Sequence, residues 1–242
     1  MLPNTQVIIL TMSTKLPPIL LLHGALGSQE QLMPLHRELE DSFQVHCINF
    51  SGHGGSVFTQ PFSPDLFVNE IIQYADQNHW SQFYIFGYSM GGYMALYSAL
   101  LFPERVKKIV TLGTKCIWNP TVAQQEIQKV NADKIIEKVP AFAEMLKQRH
   151  APNDWRLLLQ HTAQLLELLG QNPPLTDTTF SQIAVPVTLL SGDNDEMVSA
   201  VETQQVAHWI PHGTAQILPA TRHAIEKIDP HFLASYIKNL LP

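Results

Sequence analysis

The chain has little of what builds a metal centre or a nucleic-acid-binding surface. Of its 242 residues only two are cysteine, Cys47 and Cys116, with no C-x-x-C spacing and no histidine cluster beside them. A thiolate metal site needs several ligands at close spacing, so no metal is expected. Cys47, inside the apolar run Val45-His46-Cys47-Ile48, reads as a packed free thiol. Scant cysteine is compatible with a reducing compartment. Positive charge is also short: 15 Lys and Arg stand against 21 Asp and Glu, a formal net charge of −6. Phosphate binding needs a net basic patch, so no nucleic-acid partner is expected. The longest basic cluster, Lys107-Lys108, reads as a solvated helix end. No run approaches the ~20 apolar residues of a membrane span. The opening MLPNTQVIIL lacks a basic start and has too short an apolar run for a signal peptide. The expectation is a soluble, cytoplasmic protein. What is plentiful is hydrophobic residues, at 45%, enough for a large interior.

No repeat or low-complexity tract interrupts the chain, and strands and helices alternate through its first 115 residues. Short apolar runs at 17–24, 43–50, 83–87 and 106–113 read as buried strands. Helical spacing is expected over 28–39, with Ser28 as N-cap, over 64–78, and from the end of the third strand to about Leu101. Residues 115–180 break the rhythm with helix candidates at 122–139, 141–148 and 154–169, the last capped by Asn153 and Gly170. Strands resume at 185–192 and 214–218, and a closing helix at 229–241 starts on Asp229-Pro230. This pattern predicts an α/β fold with a mostly parallel sheet flanked by helices. Residues 1–114 and 181–242 form its core, and 115–180 are an inserted helical segment.

Gly87-Tyr88-Ser89-Met90-Gly91 matches G-x-S-x-G between a strand and a helix. Small residues two before and two after the serine let backbones approach while a strained turn lifts the hydroxyl clear of the sheet. A serine hydroxyl is a poor nucleophile until a base takes its proton. Among eleven histidines, His223 is favoured because it lies in the loop after the last strand; its rival His231 falls in the first turn of the closing helix. The base needs a carboxylate, and SGDNDEMV (191–198) offers Asp193, Asp195 and Glu196.

These pieces make the chain resemble the α/β-hydrolase superfamily over nearly all its length outside 115–180. The matching motifs are His23-Gly24 after the first buried strand, Ser51-Gly52-His53-Gly54-Gly55-Ser56, the serine turn at 87–91 and Phe102-Pro103-Glu104-Arg105-Val106. Val185-Pro186-Val187 leading into Gly192-x-x-Asp195, and His223-Ala224, complete the set. The resemblance implies a triad of Ser89, Asp195 and His223, with Asp195 preferred over Asp193 as the G-x-x-D acid. It also implies oxyanion donors at the backbone N–H groups of Ala25 and Met90, and a loop-orienting role for His23. Two departures are Asn49, where the family often has Asp, and the few residues before the strand at 19–22, which leave little room for an early antiparallel strand.

The insertion looks like the family's lid, and Trp118, Phe142, Met145, Trp155, Leu158 and Phe180 are its candidate pocket residues. An apolar lid points to a small acyl or aromatic substrate. No cofactor is implied. The leading expectation is hydrolysis of a carboxylic ester or related acyl compound through an acyl-serine. The loop His23-Gly24-Ala25-Leu26-Gly27-Ser28 also looks like that of carbon–carbon bond hydrolases and of the menaquinone-pathway lyase, which would use the same triad. A non-catalytic ligand-binding protein on the same fold is the third reading.

Overall fold

The computed structural model describes residues 16–241, so the opening MLPNTQVIIL lies outside the described residues. Among the described residues six strands form one sheet: β1 (Pro18–Leu22), β2 (Gln44–Ile48), β3 (Phe83–Tyr88), β4 (Val106–Leu112), β5 (Val187–Gly192) and β6 (Gly213–Leu218). They are parallel throughout, in the order β2-β1-β3-β4-β5-β6. Parallel strands need crossovers, and these place helices on both faces.

Alternation along the strands divides the core in two. Leu20, Leu22, Ile85, Ile109 and Leu189 face one layer, where they meet α2 (Pro64–Gln77) and α3 (Met90–Leu101). Ile19, Leu21, Phe86, Val110 and Leu190 face the other, against α1 (Met33–Leu39) and α10 (Pro230–Leu240). At about 25 cal/mol per Å² of apolar surface, such two-sided burial is the main stabilising contribution. The strand order reverses at β1 and β3, where register pairs Leu22 with Gly87. The chain therefore leaves both strands side by side, at the switch point where α/β sheets hold ligands.

The structure departs from the expected elements at several points, and the helix expected over 28–39 opens as a 3-10 turn at Gln29–Leu32 before α1 begins. The helix expected over 122–139 is two, α4 (Pro120–Lys129) and α5 (Ala132–Lys138), because Asn131 turns its side chain onto the Lys134 N–H and starts a new helix. The next two helices, α6 (Pro140–His150) and α7 (Trp155–Gln171), also differ at their ends. Asp154, not Asn153, caps α7, while the Asn153 amide donates to the Gly52 and Ser56 carbonyls. Gly170 lies within α7 and lets α4 approach, since a Cβ there would collide with Ala123. Helix α9 (Ala200–Trp209), between β5 and β6, has no counterpart in the sequence reading, although a parallel pair requires such a crossover. Lys107 and Lys108 belong to β4 rather than a helix end, and Lys107 reaches over the Tyr84 ring.

Between β4 and β5 the inserted region comprises α4 to α7 and the short α8 (Asp177–Phe180). Ile135, Ala143, Leu146, Trp155 and Leu159 form its own small core, while Leu158, Leu165 and Leu169 of α7 join the main one. Both cysteines are free, and burial pushes the Cys47 thiol up to about 12. No helix among the described residues is long and apolar enough to cross a membrane.

Candidate active site

Ser89 sits between β3 and α3 with φ 51° and ψ −118°, a conformation that an L-residue holds only at a cost of about 1–3 kcal/mol. Its surroundings enforce the turn. The Ser89 N–H donates to the Leu112 carbonyl of β4 at 2.8 Å, and its carbonyl accepts from the Gly92 N–H at 2.9 Å. A Cβ on Gly87 would stand 2.5 Å from Gly92 Cα, and one on Gly91 would stand 2.5 Å from the Leu22 carbonyl oxygen. Both glycines of the motif are thus required by backbone approach. All of β3 is buried, and Ser89 is the first residue after it to regain solvent access.

His223 and Asp195 meet on the far side of β4. His223 Nδ1 lies 2.9 Å and 3.0 Å from the two Asp195 carboxylate oxygens. An ionised carboxylate only accepts, so Nδ1 carries the proton and Nε2 is left as an acceptor. Burial pushes the Asp195 carboxyl up, but hydrogen bonds from His223 and from the Met197 and Val198 N–H groups outweigh it and hold it below its ordinary value. The His223 ring packs on Tyr88, the residue before Ser89, with centroids 5.5 Å apart. Among the described residues no hydrogen bond joins the Ser89 hydroxyl to His223, a looseness common in unliganded serine–histidine sites.

The neighbouring acids have other partners. Asp193 accepts from the Thr221 N–H at 3.1 Å, and the Asn194 N–H donates to the Thr221 carbonyl at 3.1 Å, so this pair ties the β5 loop to the loop bearing His223. Glu196 meets the His223 backbone N–H at 3.5 Å. His231 is 83% exposed at its side chain and pairs with Glu38 on the surface.

The loop after β1 runs beside the serine: a Cβ on Gly24 would stand 3.1 Å from Ser89 Cβ. The Gly24 carbonyl accepts from His23 Nδ1 at 2.8 Å and from the Gly27 N–H at 3.1 Å. His23 Nε2 accepts from the Phe50 N–H, so both ring nitrogens are engaged in orienting this loop. Burial is the main reason the His23 pKa falls to about 4, which keeps it neutral. Ala25 is exposed, Met90 opens α3, and among the described residues neither backbone N–H donates to a protein acceptor. Asn49 accepts from the Gln29 N–H and donates to the Gly54 carbonyl, a double role that an ionised aspartate could not fill.

The six insertion residues divide by packing. Leu158 and Phe180 are in the main core, with Phe180 stacked on Trp209, and Trp155 closes the insertion's own core. Trp118, Phe142 and Met145 keep partial exposure; the Trp118 indole N–H donates to the Lys115 carbonyl, and Met145 Sδ accepts from Arg149. A cleft of about 670 Å³ is lined by insertion residues such as Ile136, Lys147 and Trp155 and touches none of Ser89, Asp195 or His223.

Sequence reading missed Gly113, Arg149, His150 and Glu226. Gly113 has φ +58° and backs the His223–Asp195 pair; a glycine ending a strand was the available signal. The other three meet where the insertion contacts the core and carry no local pattern.

A family model described as alpha/beta hydrolase fold matches residues 17–182. A putative esterase/lipase of Haemophilus influenzae is 20% identical over 93% of this chain and 83% of its own length. A putative 2-succinyl-6-hydroxy-2,4-cyclohexadiene-1-carboxylate synthase of Bacillus subtilis is 24% identical over 92% of this chain and 89% of its own. Among solved structures, the enol-lactonase from Burkholderia xenovorans superposes with a TM-score of 0.75 at 17% identity, covering 94% of this chain and 92% of that one. The serine turn, the parallel sheet and the helical insertion fit the same frame, and the chain belongs to the alpha/beta hydrolase fold family.

Proposed function

We propose that the protein hydrolyses a carboxylic ester, or a related small acyl compound, through an acyl-serine intermediate. Ser89 Oγ attacks the acyl carbonyl as His223 Nε2 takes its proton. The tetrahedral intermediate places its oxyanion toward the N–H groups of Ala25 and Met90, each such donor being worth about 3 kcal/mol. Collapse breaks the bond to the leaving group, which takes the proton from His223. Water then enters, His223 removes its proton, and the acid is released as Ser89 recovers its hydrogen. Asp195 holds the imidazole in the tautomer that leaves Nε2 available.

The observation that carries this reading is the 2.9 Å contact between His223 and Asp195 beside a serine held at positive φ. Purely structural roles would not require all three features at one end of a sheet. The partly exposed Trp118, Phe142 and Met145 of the insertion suit an apolar acyl or aromatic group.

The test is turnover of p-nitrophenyl esters of graded acyl length, with Ser89→Ala as reference. Turnover that depends on Ser89, with a preference among acyl lengths, is expected. Equal turnover by the wild type and Ser89→Ala, both folded, would remove the reading.

The similarity to the putative synthase of Bacillus subtilis favours one further reading, carbon–carbon bond chemistry with the same triad. It requires loss of turnover in Ser89→Ala with no acyl-enzyme trapped on rapid quenching. The charge of Arg149, the arginine bonded to the loop after β1, is paired with Glu226 at 3.2 Å, which leaves less for a multiply acidic substrate.

A further inference from the structure

Arg149 and His150 end α6, and both reach from the insertion into the loop that follows β1. They converge on one atom: the Leu26 carbonyl oxygen accepts from Arg149 Nη1 at 3.1 Å and from His150 Nε2 at 3.1 Å. Leu26 has φ 58°, a conformation unfavourable for a branched L-residue without outside support. The turn Gly24–Gly27 is therefore held at two carbonyls. His23 holds the Gly24 carbonyl from the core, and Arg149 and His150 hold the Leu26 carbonyl from the insertion. Between them lies the Ala25 N–H. It shares a rigid peptide plane with the Gly24 carbonyl, so the direction it points is set by how these carbonyls are anchored.

The same arginine extends the connection. Its Nη2 reaches Glu226 Oε1 at 3.2 Å, in the segment three residues beyond His223. Glu226 also accepts from the Gln31 side chain, whose Oε1 accepts the Ser28 N–H at 3.2 Å. His150 Nδ1 in turn accepts from the Gly54 N–H at 3.0 Å. The Arg149 side chain is 13% exposed and that of Glu226 40%, so the arginine end of the network is sheltered from solvent. One helix end thus touches the loop beside Ser89, the glycine-rich loop after β2 and the segment carrying His223.

We propose that Arg149 and His150 are positioning residues that orient the Ala25 N–H through the Leu26 carbonyl, so that the oxyanion site is complete only while α6 is docked on the core. This rests on the reading of Ala25 as an oxyanion donor in ester hydrolysis. The insertion then does more than shape a pocket: whatever lifts α6 also loosens the site that stabilises the tetrahedral intermediate. The cost falls on the transition state, because the ground-state carbonyl needs that donor least.

The experiment compares full-length wild type, Arg149→Lys, Arg149→Met and the surface control Lys147→Gln on p-nitrophenyl acetate, with a melting curve for each. Ser89→Ala sets the background. The expected result is a kcat at least tenfold lower in Arg149→Met with KM within twofold of wild type. Arg149→Lys, which keeps one donor, should recover part of the loss, and Lys147→Gln should match wild type. Inactivation by a fluorophosphonate should slow in parallel with kcat. A kcat within twofold of wild type in a folded Arg149→Met, or a loss confined to KM, overturns the proposal. If Arg149→Met does not fold, Arg149→Lys decides by the same split: lower kcat at constant KM supports it, and a change in KM alone overturns it. Ser89-dependent turnover that is insensitive to Arg149 defeats this proposal while leaving ester hydrolysis standing. Turnover independent of Ser89 defeats both.

Discussion

Gly113 stands directly behind His223: a Cβ on Gly113 would lie 3.1 Å from His223 Nδ1 and 3.0 Å from Asp195 Oδ2. The glycine follows β4, whose Leu112 carbonyl receives the Ser89 N–H, and its φ of +58° turns the chain away from the pair. One backbone step therefore abuts the serine turn on one side and the imidazole–carboxylate pair on the other.

Replacing this residue separates its catalytic effect from its effect on folding. In Gly113→Ala the added methyl pushes on the pair, and the backbone strain costs about 1–3 kcal/mol. For a chain of this size that lowers Tm by about 2–4 °C per kcal/mol. The expected outcome is a loss of kcat on a p-nitrophenyl ester of about tenfold or more in a protein that still melts cooperatively. Unchanged kcat with lowered Tm would mean the contact is only structural.

Asp195 and Asp193 are two residues apart but hold different partners, a side-chain imidazole and a backbone N–H. Asp195→Asn removes the charge that fixes the His223 tautomer and should lower kcat by about 10⁴-fold, the size of that change in a serine-protease triad. Asp193→Asn keeps an oxygen acceptor for the Thr221 N–H, so kcat should stay within a few-fold of wild type. Steady-state kinetics on both variants checks the assignment, and equal losses would contradict it.

The contrast between these residues shows what a sequence can carry. The parallel sheet was legible because strands of five to seven residues alternate with helices, as in the amphipathic Pro64–Gln77 followed by Phe83–Tyr88. The serine turn was legible because its glycines are demanded by contacts within a few residues. Helix α9 was not, because along it only Thr203, Val206 and Ala207 are buried, with Trp209 half-buried at its end, and so few apolar positions leave a weak periodicity. Arg149 and His150 were invisible for another reason. Their partner, the Leu26 carbonyl, is more than 120 residues distant and is a backbone atom, which leaves no mark on residue type.

Acid should destabilise the fold through three histidines around the loops after β1 and β2. Burial is the main cause that lowers the pKa of His23 and His150 to about 4, and it lowers that of His53 well below its ordinary value; the charge of Arg149 adds to the effect on His23 and His150. Each is neutral when folded and takes up a proton on unfolding below its ordinary value of about 6.5, so stability falls as pH drops from there toward 4. Glu70 opposes this: burial raises it to about 7, so it releases a proton on unfolding between pH 4.5 and 7. Three protons gained against one lost leave the histidines dominant. The stability loss is at most about 3 kcal/mol per pH unit between 6.5 and 4.5. Asp195, held below its ordinary value, contributes only in more acid solution. Calorimetry from pH 7 to 5 should show Tm falling steadily; a flat or rising Tm would show that these histidines are not held neutral.

The most direct test of the account is to treat the folded protein with a fluorophosphonate and locate the adduct by intact-mass and peptide analysis. The account requires one adduct on Ser89, absent in Ser89→Ala and formed at least 100-fold more slowly in His223→Ala, within the ~10²–10⁴-fold range of general-base assistance. A folded wild-type protein that stays unlabelled, or one labelled equally well after Ser89→Ala, would contradict it.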